Sequence, residues 1–178
     1  MFGETHGTKE MPQFLESFIT NKLKDIDFVI ALEIPKEYEN KEEDFFKKEM
    51  GKCGLATKYY NNLIKKLRSN NLKIFFIDGF VTSQKEKEEN LAREILNIKK
   101  NNQKIIVITG DVHASQLPIN VNGLNINTTG SILKKILKDD LTNIRLVLDN
   151  DKDVFNNNFD AVINCNNNRF YLIKGISQ

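Results

Sequence analysis

The sequence predicts a three-layer α/β/α fold, with a mostly parallel sheet and antiparallel strands at its C-terminal edge. Three observations predict it. Continuous apolar runs rich in β-branched residues occur at 27–34, 73–78 and 104–109, as strands covered on both faces require. Amphipathic stretches with apolar residues three and four apart separate these runs. Beyond residue 140 the apolar runs alternate more with polar residues, which suits outer or antiparallel strands.

The chain opens with Met1-Phe2 directly before Gly3-Glu-Thr-His6, so any strand leading into that motif is a stub or is missing. A stub would leave its neighbour partly unpaired, and an exposed strand edge invites a second chain, so a homodimer is expected. Residues 11–23 form the first helix, with Phe14, Leu15, Phe18, Ile19 and Leu23 on one face. The 27–34 strand follows, and then the charged stretch 36–54, read as a helix plus a loop above the sheet. Residues 55–67 place Leu55, Tyr59, Leu63, Ile64 and Leu67 together, with Tyr59-Tyr60 read as core and rim. After the 73–78 strand, Ser83-Gln-Lys-Glu86 matches a capping box and starts a helix running to about residue 100. Its Leu91, Ile95, Leu96 and Ile98 point inward, and the Lys/Glu run 85–94 is read chiefly as its solvated face. The 104–109 strand precedes a short helix at 131–138 and three late strands at 143–148, 159–164 and 169–174, with a polar turn at 150–158. The pattern is one domain, 1–178, with a truncated first strand.

Composition narrows the function. The 178 residues are 40% hydrophobic and 28% charged, with a net charge of +2 and well-mixed Lys and Glu, which argues against a nucleic-acid binder. No apolar run approaches the roughly 20 residues of a membrane span, and no signal peptide is visible. Cys53 and Cys165 make neither a metal nor a disulfide pattern, so a reducing, cytoplasmic setting is expected. There is no Gly-rich phosphate loop and no Gly-x-Ser-x-Gly elbow, and neither cysteine lies beside a histidine.

The polar residues that remain fall at strand ends. In an open parallel sheet, ligands bind beyond the carboxyl ends of the strands. Glu33 lies near the end of the 27–34 run, Asp78 ends the 73–78 run, and Gly110-Asp-Val-His113 follows the 104–109 run. The two histidines of the chain, His6 and His113, both sit in Gly-x-x-His frames, where a glycine would let the backbone turn sharply and present the imidazole over the sheet edge. A neutral imidazole beside a carboxylate can act as general base on water. Two histidines and a carboxylate could instead hold a divalent metal such as manganese or zinc, with His6, Glu33 and His113 as ligands.

Several motifs resemble those of the superfamily that groups erythromycin esterases, ChaN-like haem-uptake proteins and the Tiki/TraB proteins. Gly3-Glu-Thr-His-Gly-Thr-Lys-Glu10 is similar to its opening motif. Ala31-Leu-Glu33, Lys87-Glu-Glu-Asn-Leu-Ala92, Gly110-Asp-Val-His-Ala114, Thr129-Gly-Ser-Ile132 and Phe159-Asp-Ala-Val-Ile163 then follow in the family's order. The resemblance implies an α/β/α fold and a site built from the two histidines and the glutamate. In the esterase branch a His-activated water opens an ester without metal; the Tiki branch is metal-dependent, and the ChaN-like branch binds haem. Lys87 stands where the family has arginine, and 178 residues leave no room for the helical insertions of a macrolide pocket. The expectation is therefore a small hydrolase of an ester or amide-type bond in a small molecule or peptide. His6 would be the general base oriented by Glu4 or Glu33, His113 would bind substrate or developing charge, and Asp111, Asp78 and Lys87 would support them. Haem binding and metal-dependent hydrolysis are the alternatives.

Overall fold

The computed structural model describes residues 1–23, 25–100, 104–148, 158–166 and 169–174. Its elements, in chain order, are β1 (Phe2–Glu4), α1 (Glu10–Ser17) continued by a π-helical turn (Phe18–Lys22), β2 (Phe28–Pro35), a 3-10 turn (Lys36–Tyr38), α2 (Glu42–Glu49), α3 (Lys58–Ser69), β3 (Ile74–Asp78) and α4 (Gln84–Lys99). There follow β4 (Lys104–Gly110), α5 (Asp111–Ala114), β5 (Ile119–Val121), β6 (Leu124–Ile126), α6 (Thr129–Leu137), a second 3-10 turn (Lys138–Asp140), β7 (Ile144–Val147), β8 (Ala161–Asn166) and β9 (Arg169–Lys174).

One sheet runs in the order β3-β2-β4-β1-β7-β8-β9. Every pairing from β3 to β8 is parallel, and β9 alone runs antiparallel, against β8. This is an α/β fold with helices on both faces. The late strands are thus less irregular than alternation suggests: β7 and β8 are parallel members of the sheet, and antiparallel pairing is confined to the edge. The 150–158 turn lies, Asn158 excepted, outside the described residues.

Side-chain alternation along the strands builds two cores. On one face Phe2, Ile30, Leu32, Ile108 and Leu146 meet Met11, Phe14 and Leu15 of α1 and Tyr60, Leu63, Ile64 and Leu67 of α3. On the other, Ala31, Ile77, Val107 and Val162 meet Leu91, Ala92 and Ile95 of α4 and Leu133 of α6. The period-two register of β2 therefore sends Glu33 to the same side as Ala31, toward α4. The starts of α3, α4 and α6 are fixed by side-chain caps. Ser83 Oγ accepts from the Glu86 N–H at 3.2 Å, and Glu86 reaches back to the Thr82 N–H at 3.0 Å. Thr128 Oγ1 caps α6 through the Ser131 N–H at 3.1 Å, so that helix begins two residues before its apolar pattern shows.

The stub is real, but it is not an edge. β1 is three residues long and pairs on both sides, Phe2 to Glu4 opposite Ile108 to Gly110 of β4 and opposite Ile144 to Leu146 of β7. β1 thus lies in mid-sheet but reaches only Ile108 to Gly110 of β4, so Lys104 to Val107 have no strand partner on that side among the described residues, as a stub implies. A two-stranded hairpin, β5–β6, lies outside the main sheet. Its loop residues Asn122 and Gly123 both have positive φ, 51° and 83°, as a tight primed turn requires.

Candidate functional site

β1, β2, β3 and β4 all run the same way, so Glu4, Glu33, Asp78 and Gly110 lie at one edge of the sheet. Glu4 stands directly opposite Gly110 in the ladder. The two Gly-x-x-His segments leave neighbouring strands there and pack against each other. A β-carbon on Gly3 would lie 2.6 Å from Ala114 Cβ and 2.9 Å from Asp111 Cα, and one on Gly110 would lie 3.1 Å from His6 Nε2. The glycines are thus required by close approach of one motif to the other. Neither adopts a positive φ, so the sharp-turn explanation is replaced by this contact.

The imidazoles converge on Glu33. His6 Nε2 is 3.9 Å from Glu33 Oε2, and His113 Nε2 is 3.1 Å from Glu33 Oε1. The outer nitrogen of each ring has its own carboxylate: His6 Nδ1 is 2.6 Å from Glu4 Oε1, and His113 Nδ1 is 2.7 Å from Glu88 Oε1. Lys87 Nζ lies 2.8 Å from Glu33 Oε1 and 3.5 Å from Asp78 Oδ2, and the Gly110 N–H donates to Glu33 Oε2 at 2.9 Å. His6, Glu4, Glu33, His113, Lys87 and Asp78 therefore form one cluster. Asp111 does not join it directly; it accepts from Arg145 of β7 at 2.8 Å and anchors the start of the helix that carries His113.

Three further residues around this cluster are not read as part of a site from the sequence. Glu88 is completely buried, where the Lys/Glu run suggested a solvated face. Its carboxylate accepts from the Thr129 N–H and from Thr129 Oγ1, both at 2.7 Å, and from Gln84 Nε2 at 2.6 Å. The signal was present in helical spacing, because Glu88 shares the face of Leu91, Ala92 and Ile95. Arg145 is a fully buried cation within an apolar strand. Tyr60 sends its hydroxyl from α3 toward Glu4, within range to couple with its charge.

Charge is unevenly held across the cluster. Burial alone would lower the His113 imidazole, but its hydrogen bonds to Glu33 and Glu88, and their charges, push it up to about 9. Burial likewise opposes the charged form of His6; the hydrogen bond and charge of Glu4, with Glu33 behind them, reverse it and leave His6 above its ordinary value of 6.5. Burial would raise Glu33, yet His113 and then Lys87 hold its carboxyl well below the usual range. Glu4 moves the other way: burial outweighs His6 and Tyr60, and its pKa is raised. Asp78 is raised by burial and the nearby Glu33 against the pull of Lys87. Water reaches the cluster through His6, whose side chain is 31% exposed, whereas His113 is 12% exposed and Glu33 5%.

The residues do not form a metal site as they stand. Among the described residues, no three His, Cys, Asp or Glu side chains are grouped to hold a metal ion. Glu33 has Oε1 engaged by Lys87 and His113, and Oε2 by the Gly110 N–H. The Lys87 ammonium occupies the position beside Glu33 that a cation would need. Were haem to bind, His6 Nε2, whose nearest carboxylate oxygen is 3.9 Å away, would be the histidine nitrogen to ligate its iron.

This fold is shared with bacterial toxins. RRSP, a MARTX toxin effector domain from Vibrio vulnificus CMCP6, superposes with a TM-score of 0.51 at 14% identity, over 98% of this chain and 34% of that one. A structure described as bacterial protein toxins gives a TM-score of 0.53 at 15% identity, over 97% of this chain and 35% of that one. The chain thus spans about a third of the length of the structures it resembles, and at such identities the likeness is one of fold. No family model and no curated protein matches the sequence.

Gly54, in the loop between α2 and α3, closes over the site. A β-carbon there would lie 2.5 Å from His6 Cβ, and neither atom belongs to a flexible side-chain end. Gly54→Ala must therefore displace His6 or its loop. The expected cost is about 1–3 kcal/mol of stability for overpacking. Thermal denaturation checks this, and a Tm equal to that of the parent would show that the loop moves freely.

Proposed function

We propose that the chain is a hydrolase of an ester or amide-type bond that activates water with His6 and needs no bound metal for that step. The observation that carries this reading is the Glu4–His6 pair. A buried carboxylate 2.6 Å from Nδ1 favours the Nδ1–H tautomer and leaves the Nε2 lone pair facing the open side of the cluster. A water bridging Nε2 and Glu33 Oε2 can give one proton to the imidazole while its other O–H keeps its proton and donates a hydrogen bond to Glu33. Its oxygen then adds to a carbonyl carbon, and the negative charge that develops falls within reach of the Lys87 ammonium and the His113 imidazolium. Collapse of the tetrahedral adduct expels the alkoxide or amine, which takes the proton held by His6. The order of motifs supports placing the chain with erythromycin esterase-like, ChaN-like and Tiki proteins, and the substrate class is a small ester, amide or peptide. No helix among the described residues is long and apolar enough to cross a membrane, and the free thiols Cys53 and Cys165 agree with a reducing cytoplasm.

The test is a screen of purified protein against chromogenic esters and fluorogenic amides, with His6→Ala as the control; hydrolysis that survives the substitution removes His6 as base. The charge distribution also sets the pH profile. His6 must be neutral to accept a proton, so kcat/KM rises with pH through a value above 6.5. His113 must keep its proton to meet negative charge, so the rate falls again near pH 9. A bell with these limbs is expected, and a rate still climbing beyond pH 10 would remove His113⁺ from the mechanism.

A further inference from the structure

Two buried polar atoms at the Glu4 end of the site have no hydrogen-bond partner among the described residues: Glu4 Oε2 and the hydroxyl of Tyr60. They belong to residues 1% exposed each, one from β1 and one from the core face of α3. The two groups lie close enough for hydrogen bonding between them to shift both titrations, with charge coupling raising the phenol as well, although the phenol is not turned into full hydrogen-bond geometry. Each omission is costly, because a buried acceptor or donor left unpaired loses its hydration for nothing. Each is also what the other lacks, since a carboxylate oxygen accepts and a phenol donates. Glu4 already spends Oε1 on His6 Nδ1.

We propose that Tyr60 is a positioning residue of this site, whose phenol closes onto Glu4 Oε2 and makes a relay of Tyr60, Glu4 and His6. The relay clamps the carboxylate from both oxygens, and a carboxylate held this way cannot turn away from the imidazole. It stabilises Glu4 as the anion against the burial that favours its neutral form. An anionic Glu4 accepts a hydrogen bond from Nδ1–H and cannot donate one to Nδ1, which fixes His6 as the Nδ1–H tautomer with Nε2 bare. Tyr60 touches no reacting atom, and it acts only through Glu4. Cβ packing in the α3 core brings the ring to this place, with Leu63, Ile64 and Leu67 on the same face. Thr57 caps the helix through the Tyr60 N–H at 3.2 Å, which fixes Tyr60 in its first turn.

The purpose of the relay rests on the hydrolytic reading, but its existence does not, and the experiment needs no substrate. Imidazole nitrogen chemical shifts of His6 are measured in the parent and in Tyr60→Phe at a pH where His6 is neutral. The parent is expected to show the Nδ1–H tautomer alone, and Tyr60→Phe a mixture with the Nε2–H form. An unchanged tautomer in folded Tyr60→Phe would overturn the proposal and leave Tyr60 a packing residue. The parent supplies a second measurement should the variant fail to fold: a downfield, exchange-protected Tyr60 hydroxyl proton is expected, and a hydroxyl at an unbonded shift would overturn the relay. If the relay is present while esters and amides go untouched, the hydrolytic reading fails and the relay stands.

Discussion

His6→Ala is expected to lower kcat/KM on any ester or amide that the protein hydrolyses by about 10²–10⁴-fold, the range that a positioned general base commands. The side chain is the most exposed of the cluster, at 31%, and lies at its solvent side. Glu4 remains behind as a buried carboxyl whose pKa is already raised, and it can take up a proton in place of the lost imidazole. The variant should therefore keep its circular dichroism spectrum while losing its rate. Prolonged dialysis of the parent against a chelator should leave the rate unchanged, because Lys87 and His113 hold the positive charge that the mechanism uses. A rate lost to the chelator and restored by manganese or zinc would replace this mechanism with a metal-dependent one. Activity retained by His6→Ala would move the base to Glu33, the other group that faces the same water.

How much of this could be seen in the sequence follows from what each residue contacts. The strands were legible because residues buried on both faces must be continuously apolar, as at 28–34 and 104–109. The strand-end rule then placed Glu33, Asp78 and both Gly-x-x-His segments at one edge without knowledge of side-chain geometry. Glu88 was hidden because its neighbours Lys87 and Glu89 make it look like one charge in a solvated run; its burial depends on α4 packing against α6, whose Thr129 supplies two donors. Tyr60 was legible as core but not as a polar partner, since nothing local in α3 shows that β1 ends beneath it. β1 was legible as a stub. Three residues look too few for a strand in isolation, yet two flanking strands supply both of its ladders. The hairpin had an open signal, Asn122-Gly123 between alternating residues, which periodicity over longer windows overlooks.

The largest effect on stability is expected from Glu33→Ala. It leaves the His113 imidazolium and the Lys87 ammonium facing each other without their shared anion, and it orphans the Gly110 N–H. Removing one partner of a buried ion pair costs about 3–5 kcal/mol, and the partly exposed Lys87 places this case toward the lower end. Glu33→Gln should cost less, because an amide oxygen can still accept from Gly110. The pH dependence separates charge from packing. Glu33 has a depressed folded pKa, so its contribution is present above the unfolded value of about 4.5 and is lost as pH falls below it toward the folded pKa. His113 has the opposite sign: raised to about 9, it contributes fully below its unfolded value of 6.5 and loses that contribution as pH climbs from 6.5 to 9. Urea unfolding of the parent should thus weaken between pH 6.5 and 9 and again below pH 4.5. In Glu33→Ala both slopes should flatten, because the raised pKa of His113 depends first on its hydrogen bond to Glu33 and only then on Glu88. A constant difference between parent and variant from pH 4 to pH 9 would mean that Glu33 serves as a space-filling side chain, and that the two cations do not meet on its carboxylate.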